Sequence, residues 1–503
     1  MRQRVAGLTA LALAALLAMS FASAQAEITN IEQLRAAASA GGSYTLPAGS
    51  IFIDEPVVVT SELTIAGVGA NDSILIVRGA RAGLIVQPEG TLTLTGLWVD
   101  GGPTDTPGGA DLIQTAGRLI VRESRIAGGR FEQVGSKPYG VGSGVYVALN
   151  GVATLINVSL ERNALAAIEV DHNGTIELAS SFVRNNSNGL VIEGEARGTL
   201  IQNYIHSNVA PGLTIRGNAV VTASNNTIEA NGRRLDENGV AYDGARILGN
   251  AQVTLANNHF NSNPRFGLSV SGNAKVMASG NFFENSGGFA EHANKHHSAL
   301  LISGEATYSG NGERFNANPG GAIEMTGSAS ATLFGTLLRQ TASNSSIFLD
   351  ESSSLTLENS DVEANEGPIV VWGGAARLQV IGGRFVGSGG HAFYLAGGES
   401  NIQGAEIVGS AGVAVRVSLT AAVALHGNLV ANNRSGIVFL DDSRGDVRGN
   451  RIENNQSNGI AFADASSGAA VGNTVIHTPT EGAAIYVAPG LSVTLEGNTE
   501  SRP

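Results

Sequence analysis

One short unit repeats along most of this chain. Its clearest copies read SNNTIEANG, SGNFFENSG, HGNLVANNRSGIVFL and RGNRIENNQSNGIAFA. One apolar anchor follows the turn in each copy, and the anchors are Leu160, Phe182, Ile205, Ile228, Phe260, Phe283, Phe315, Leu338, Val362, Phe385, Ile407, Val430, Ile452 and Val475. Eleven of the thirteen intervals between them are equal to within one position. A fixed period of this kind, here about 23 residues, indicates a solenoid of stacked units.

Each unit contains three short runs in which apolar and polar residues alternate. One unit has them at Leu213 to Ile215, Val220 to Ala223 and Thr227 to Glu229. Alternation indicates strands with one buried and one solvated face. A single unit cannot bury its apolar face alone, so the units must stack on one another. The leucine-rich repeat has a similar length, but its Leu and Asn consensus is missing. The sequence therefore predicts an all-β fold, a parallel β-helix with three strands per coil.

Asparagine recurs two residues before the anchor. The positions are Asn203, Asn226, Asn258, Asn281, Asn428, Asn450 and Asn473. Asparagine tolerates the left-handed backbone of a tight turn. Stacked in register, its amide can also bond the equivalent amide of the next coil. We therefore assign these residues a structural role.

The N-terminal residues have the pattern of a secretory signal peptide. Arg2 and Arg4 precede an apolar run, which ends in small residues that favour cleavage after Ala24 or Ala26. We expect residues 1–26 to be removed and the protein to be secreted or periplasmic. Asn30 can cap a short amphipathic helix that closes one end of the core. The expected organisation is a signal peptide at 1–26, an N-terminal cap at 27–50 and a β-helix at 51–503.

This repeat resembles that of the pectin-lyase-like superfamily of right-handed parallel β-helices. The resemblance runs from about Ile51 to Asn498 and concerns the repeat, not an active-site motif. It implies a right-handed helix with an Asn turn between the second and third strands. It also implies that loops after the third strand flank the first strand. The motifs of polygalacturonases, alginate epimerases and pectate lyases are absent; His391, for example, lacks the glycine that follows it in polygalacturonases.

Composition limits the partners that this chain is expected to have. The formal net charge is -13, which disfavours nucleic acid because phosphate contacts need clustered Lys and Arg. There is no cysteine, so disulfides and thiolate metal sites are excluded. After the signal peptide, no stretch is long and apolar enough for a transmembrane segment. We expect a monomer.

Three insertions interrupt the repeat between a third strand and the next first strand. They are Arg130 to Gly142, Asn231 to Gly244 and Asn285 to Ser298. Insertions at one phase of a solenoid emerge along one edge, so we expect a loop-lined groove over the first strands. Lys137 and Tyr139 in the first loop are candidate substrate-binding residues. The third loop places His292 one helical turn before His296, a spacing that would suit a metal only if the segment were helical; a solvated segment is the simpler interpretation.

Charged residues occupy the outward positions of the first strands beside these loops. The three carboxylates are Glu169, Asp171 and Glu193, and we expect them to hold Ca²⁺, which prefers oxygen ligands. The arginines are Arg216 and Arg246, candidate catalytic bases that would act on an acidic sugar. His172 follows Asp171 and is a further candidate substrate-binding residue. This layout resembles the calcium-and-arginine chemistry of the superfamily's polysaccharide lyases.

The same residues also admit an interpretation without function. Opposite charges on adjacent coils stabilise a sheet by cross-strand pairing, and Glu193 with Arg216 would be such a pair. Two hypotheses therefore stay open. The chain binds or processes extracellular, acidic polysaccharide, with β-elimination as the expected reaction, or it is a non-catalytic structural or adhesive protein of the cell envelope.

Overall fold

The computed structural model describes residues 26–79, 81–102, 109–132, 140–233, 241–288, 297–342, 344–476 and 482–501. The predicted signal peptide lies outside them except for Ala26. Within these residues the chain winds into a right-handed parallel β-helix of about 18 coils with three sheets. The predicted fold class is therefore confirmed.

A single α-helix, Ile31–Ala40, is present in the described part of the chain. The Asn30 side chain accepts a hydrogen bond from the Gln33 backbone N–H at 3.0 Å, which satisfies one of the free donors of the first turn. The apolar side of the helix buries Leu34, Ala37 and Ala38 against the first coils. It is the predicted capping helix. No helix in the described ranges has the length and hydrophobicity needed to cross a bilayer.

Each coil contributes one strand to each sheet, and the sheets are numbered in the order in which a coil enters them. The first sheet consists of Val57–Val59, Arg81–Val86, Ala110–Thr115, Val145–Val147, Ala166–Val170, Asn188–Ile192, Leu213–Ile215, Ala245–Ile247, Leu268–Val270, Leu300–Ile302, Ile323–Met325, Ile347–Leu349, Ile369–Val371, Phe393–Leu395, Val413–Val417, Ser435–Phe439, Ile460–Phe462 and Ile485–Val487.

The second sheet carries the longer strands. It consists of Ala26–Glu27, Gly42–Leu46, Glu62–Gly67, Thr91–Thr95, Arg118–Arg122, Val152–Ile156, Thr175–Ala179, Arg197–Ile201, Val220–Ser224, Gln252–Ala256, Lys275–Ser279, Thr307–Asn311, Ser330–Phe334, Ser354–Glu358, Arg377–Ile381, Glu399–Gln403, Ala422–His426, Arg444–Arg448, Ser467–Val471 and Val493–Glu496. Its pairing begins within the segment expected to form the cap.

The third sheet carries the apolar anchors of the repeat. It consists of Gly49–Ile53, Ser73–Val77, Trp98–Asp100, Arg125–Ala127, Ser159–Glu161, Phe182–Arg184, Tyr204–His206, Thr227–Glu229, His259–Asn261, Phe282–Glu284, Arg314–Asn316, Leu337–Arg339, Asp361–Glu363, Arg384–Val386, Glu406–Val408, Leu429–Ala431, Arg451–Glu453, Thr474–Ile476 and Thr499–Ser501.

One predicted anchor is wrong by a single residue. Val183, not Phe182, pairs with Leu160 and Ile205 in the buried row of the third sheet. Phe182 points outward and is 48% exposed. Side chains alternate between the two faces of a strand, so a shift of one residue exchanges inside and outside. Both residues are apolar, and the sequence pattern could not separate them.

The core is a narrow column of side chains that stack on their equivalents one coil away. The rings of Phe260 and Phe283 lie 4.8 Å apart, and those of Phe283 and Phe315 lie 4.7 Å apart. This separation matches the distance of about 4.8 Å between neighbouring strands. Stacking therefore fills the core without requiring any coil to bury its apolar face alone.

The predicted asparagine ladder is present between the second and third sheets. Asn203 donates through Nδ2 to Oδ1 of Asn226 at 2.9 Å, and Asn226 donates likewise to Asn258 at 2.9 Å. The left-handed backbone, however, belongs to the residue before the ladder position, such as Gln202 or Asn225. The ladder asparagine is thus selected for its amide, and the expectation that it adopts the left-handed conformation is wrong.

A second asparagine ladder, which the sequence pattern did not suggest, follows the third sheet. Its Nδ2 to Oδ1 distances are 2.9 Å from Asn163 to Asn186, 3.0 Å from Asn186 to Asn208 and 2.9 Å from Asn208 to Asn231. All four residues are buried. This ladder fixes the corner from which the inserted loops depart.

Candidate functional site

The predicted site residues lie on the first sheet in two outward rows. In one row Tyr146, Glu169, Val191, Thr214 and Arg246 pair successively across five coils. The other row lies two residues further along each strand. This row contains Asp171, Glu193 and Arg216, which come directly after the first-sheet strands of three successive coils. The five charged residues therefore lie along the outward side of the first sheet, with the uncharged Val191 and Thr214 between Glu169 and Arg246.

The inserted loops border this face. All three connect a third-sheet strand to the next first-sheet strand, so they leave the solenoid at the same corner. Their central parts lie outside the described residues, as do Lys137, Tyr139, His292 and His296, whose expected roles stay predictions. At the base of the first loop, Glu132 and Val141 form an antiparallel bridge.

Glu169 is the centre of an acidic cluster. Its Oε2 accepts a hydrogen bond from the Ser143 hydroxyl at 3.2 Å. Burial and the nearby charges of Asp111, Glu193 and Asp171 raise the pKa of Glu169 to about 7. A carboxyl group with this pKa is protonated in a large fraction of molecules near neutral pH. It can therefore act as a proton donor.

Tyr146 pairs with Glu169 in the neighbouring coil. Burial and the negative charges of Asp171 and Glu169 raise the pKa of Tyr146 to about 12. The phenol therefore stays neutral at physiological pH, and it adds a hydroxyl group to the acidic cluster.

Asp111 supplies a carboxylate that the sequence pattern did not single out. Its Oδ1 accepts hydrogen bonds from the backbone N–H groups of Gly142 and Ser143, each at 2.8 Å. Its Oδ2 accepts one from the Gln114 amide at 3.0 Å. Asp111 thus ties the base of the first loop to the sheet. The sequence feature that could have indicated Asp111 is the long connection between Asp100 and Ala110, which lies at the same corner as the other insertions.

Glu193 and Arg216 form an ion pair between adjacent coils, with contacts from both Nε and Nη2 of the arginine. The carboxylate side chain is 15% exposed and the guanidinium 30%. A pair of opposite charges on adjacent coils is what the interpretation without function predicts for these two residues. The expected role of Arg216 as a base stays a prediction.

Asp171 lies beside Glu169 and engages the residue that follows it. Its Oδ1 accepts from the His172 backbone N–H at 2.6 Å, and its Oδ2 lies 3.1 Å from His172 Nδ1. The His172 side chain is 58% exposed, which leaves it accessible to a ligand. Its role in substrate binding stays a prediction.

Arg246 belongs to a separate cluster around the buried Asp243, and the side chains of Arg246 and Arg265 are 36% and 27% exposed. Arg246 Nε lies 3.2 Å from Asp243 Oδ2, and Arg265 Nη1 lies 3.5 Å from Oδ1. The Ser269 hydroxyl donates to Oδ2 at 2.7 Å. Burial raises the pKa of Asp243, although both arginines oppose the shift. Arg246 is therefore held by an anion within its own coil, and its predicted role as a base stays untested by this geometry.

The predicted calcium ligands do not surround a common point. Across the described ranges, no three Asp, Glu or His side chains converge closely enough to hold a metal ion. Glu193 has the Arg216 guanidinium as its partner, and Asp171 contacts His172. In this arrangement arginine provides the positive charge that calcium was expected to provide.

The family model described as a right handed beta helix region matches residues 143–299 and 368–501, more than half of the chain. Solved structures with similar folds include an α-1,3-glucanase of the GH87 family from Streptomyces thermodiastaticus, with 15% identity, 71% of this chain and 69% of that chain covered, and a TM-score of 0.47. The Dettilon tailspike protein has 14% identity, covers 65% and 61%, and has a TM-score of 0.44. The alginate lyase AlyGC of the PL6 family has 11% identity, covers 95% and 100%, and has a TM-score of 0.31. No curated protein sequence matches the chain.

Proposed function

The chain belongs to the right-handed β-helix family, and from that premise we propose that its first-sheet face binds a polysaccharide and cleaves it with Glu169 as the proton donor. The observation that carries the proposal is the pKa of about 7 of this partly buried carboxyl group. Such a perturbed group on a face bordered by long loops is typical of a catalytic site. Glu169 would protonate the oxygen of the glycosidic bond as that bond breaks.

The neighbouring groups assist this chemistry in distinct ways. Tyr146 offers a neutral hydroxyl for hydrogen bonding to a sugar, because its pKa is about 12. Asp171 adds to burial, Asp111 and Glu193 in favouring the protonated form of Glu169. It is also the candidate base, since the charge of Glu193 is compensated by Arg216.

The finer hypothesis is that the substrate is an acidic polysaccharide outside the cell and that the reaction is β-elimination. It requires Arg216 or Arg246 to exchange its partner, Glu193 or Asp243, for a uronate carboxylate, which a guanidinium group recognises through paired hydrogen bonds. Elimination would produce an unsaturated sugar that absorbs ultraviolet light, whereas hydrolysis would produce only new reducing ends. Measuring both products on a panel of acidic and neutral polysaccharides separates the two reactions.

The decisive variant is Glu169→Gln, which keeps the shape of the side chain and removes the acid. Its matched control is Glu177→Gln, on the same coil but on the outward face of the second sheet. We expect the first to abolish turnover and the second to leave it unchanged. In the wild type, turnover should fall as the pH rises through about 7, because Glu169 then loses its proton. Turnover by Glu169→Gln at the wild-type rate would refute the proposal.

Calcium binding remains a separate proposal. Glu169, Asp171 and Glu193 could bind Ca²⁺ only after Arg216 moves away from Glu193. A calcium titration followed by calorimetry tests this directly. Binding that is lost in Glu193→Gln would support it, and the absence of heat in the wild type would reject it.

The non-catalytic alternative also has an observation in its favour. Ion pairs between adjacent coils recur far from this face, with Arg339 Nη2 2.8 Å from Glu363 and Arg384 Nε 3.2 Å from Glu406. The Glu193–Arg216 pair has the same arrangement. A rod without activity on any polysaccharide, in which Glu169→Gln changes neither glycan binding nor stability, would favour a structural role. Export, which we also propose, is tested by determining the N-terminus of the mature protein.

A further inference from the structure

The outward face of the third sheet carries a row of rings that the first-sheet chemistry does not use. The first outward position of successive strands is occupied, in order, by Trp98, Arg125, Ser159, Phe182, Tyr204, Thr227, His259 and Phe282. We call this row the aromatic strip. Four of its eight members are Phe, Trp or Tyr, in a protein that is only 5% Phe, Trp and Tyr, and His259 adds a fifth ring.

The rings of the strip contact one another or a cation. The Arg125 guanidinium lies 4.2 Å from the centre of the Trp98 ring. Phe182 and Tyr204 meet edge to face at 6.3 Å, and His259 stacks on Phe282 at 4.9 Å. Phe182 is nevertheless 48% exposed. The strip is therefore ordered by its own contacts, as in a preorganised binding surface, and Phe182 is its most accessible ring while the others are partly exposed.

The carboxylates in the adjacent row are all engaged. Glu161 lies 2.5 Å from Arg125 Nε and 3.0 Å from Arg184 Nε. Glu229 accepts hydrogen bonds from the Tyr204 hydroxyl and, at 3.0 Å, from Asn261. These carboxylates do not attract a polyanion, because two arginines compensate the charge of Glu161 and the partners of Glu229 are neutral. They do present oriented donors and acceptors, which suit the hydroxyl groups of a neutral sugar.

A depression interrupts the strip at Ser159. It has a volume of about 460 Å³ and is lined by Arg125, Ser159, Glu161, Phe182 and Arg184, among others. The Ser159 side chain is small, whereas its two neighbours in the strip, Arg125 and Phe182, are large. These two side chains bound the depression on either side along the axis of the solenoid. Glu161, two residues further along the same strand, is buried by its arginine partners. The depression has an apolar wall and convergent polar groups, the combination expected of a small binding site.

We propose that the aromatic strip is a second carbohydrate site, which binds a neutral glycan lying along the axis of the solenoid. A sugar ring occupies the depression over Ser159 and stacks on Phe182, while the exposed Arg184, which Glu161 holds in place, bonds its hydroxyl groups. The repeat of about 4.8 Å between coils is close to the length of one sugar in an extended chain. Further sugars then meet Tyr204 and the His259–Phe282 stack. The third sheet would hold the polymer, and the first sheet would act on it.

Affinity electrophoresis in gels that contain neutral glycans, with an acidic glycan for comparison, tests the proposal on the full chain. We expect Phe182→Ala to weaken binding of a neutral glycan by about three- to ten-fold, the contribution of one aromatic contact. Phe182→Trp should retain binding, and Ser159→Arg should abolish it by filling the depression. The control is Phe334→Ala, a residue that is also 48% exposed but lies on the second sheet.

The outcomes separate this proposal from the one for Glu169. Loss of glycan binding in Phe182→Ala, with binding retained in Glu169→Gln, supports the strip even if no cleavage is detected. Equal weakening by Phe182→Ala and Phe334→Ala, or binding of acidic glycans alone, overturns it. Sedimentation provides a further test. If Phe182→Ala only converts an oligomer into a monomer, the strip is a contact between copies of the chain and the glycan proposal is rejected.

Discussion

Replacing Glu313 by Gln should stabilise the protein in a manner that depends on pH. Glu313 occupies an asparagine position of the first ladder and is fully buried. Its Oε1 accepts hydrogen bonds from the backbone N–H and the Nδ2 of Asn281, at 3.4 and 3.3 Å, and its Oε2 accepts from the Tyr308 hydroxyl at 3.1 Å. Gln keeps the acceptor for Asn281 and cannot ionise. The change therefore removes the cost of the buried charge and reverses one hydrogen bond, since the Gln amide nitrogen donates to the Tyr308 hydroxyl.

The size of the effect follows from the pKa of Glu313. Burial raises it from 4.5 to about 7, although the hydrogen bonds oppose the shift. Each pKa unit corresponds to about 1.4 kcal/mol, so deprotonation lowers the free energy of unfolding by about 3 kcal/mol. Below pH 4.5 the group is protonated in both states and nothing is lost. The loss grows as the pH rises to about 7 and is constant above that value.

The assay compares the wild type with Glu313→Gln in urea and by hydrogen exchange at about pH 4 and pH 8. Exchange of the Asn281 amide is the local measurement, because a solenoid need not unfold as one unit. We expect equal protection at the lower pH and higher protection of the variant at the higher pH. Glu305→Gln, an exposed change in the preceding turn, is the control. A difference that does not vary with pH, or a variant that is less stable at the higher pH, would refute the reasoning.

Two further substitutions test the scaffold by their urea midpoints. Asn226→Ala should cost about 2–4 kcal/mol, because it leaves buried backbone and amide partners unsatisfied; the exposed Asn218→Ala should cost almost nothing, and equal losses would contradict the ladder. Phe283→Ala should lower the free energy of unfolding by about 3–5 kcal/mol, because it opens a cavity in the stacked core. A loss as small as that expected for the exposed Phe182→Ala would show that neighbouring side chains move to fill the cavity.

The sequence was sufficient for the fold because one period controls all three sheets. The interval between anchors specified the coil, and the Asn ladder specified the turn that follows the second sheet. It failed at Phe182, where two neighbouring apolar residues left the face of the strand undetermined. It also missed the ladder at Asn163 and Asn186, because asparagine after the third strand resembles ordinary turn composition.

The candidate site was harder to predict, because its partners are distant in the sequence. Glu169 was found from its outward position, but its raised pKa depends on Asp111, which belongs to the first-sheet strand two coils earlier. The ion pair of Glu193 with Arg216 was foreseen as one alternative, since both follow first-sheet strands at the same position. Asp243 was overlooked because nothing in the sequence indicated that its side chain turns inward from the second loop.

The pairing of strands is the same across the long units as across the short ones. Thr227 pairs with His259 across the second insertion, in the register with which Tyr204 pairs with Thr227 across an uninterrupted unit. Each coil therefore contains the residues that determine its own strand pairing, and the insertions add residues that this pairing does not need. Natural variation in the loops can then alter what the protein recognises without placing its folding at risk. Homologous rods could share one scaffold and differ in their ligands.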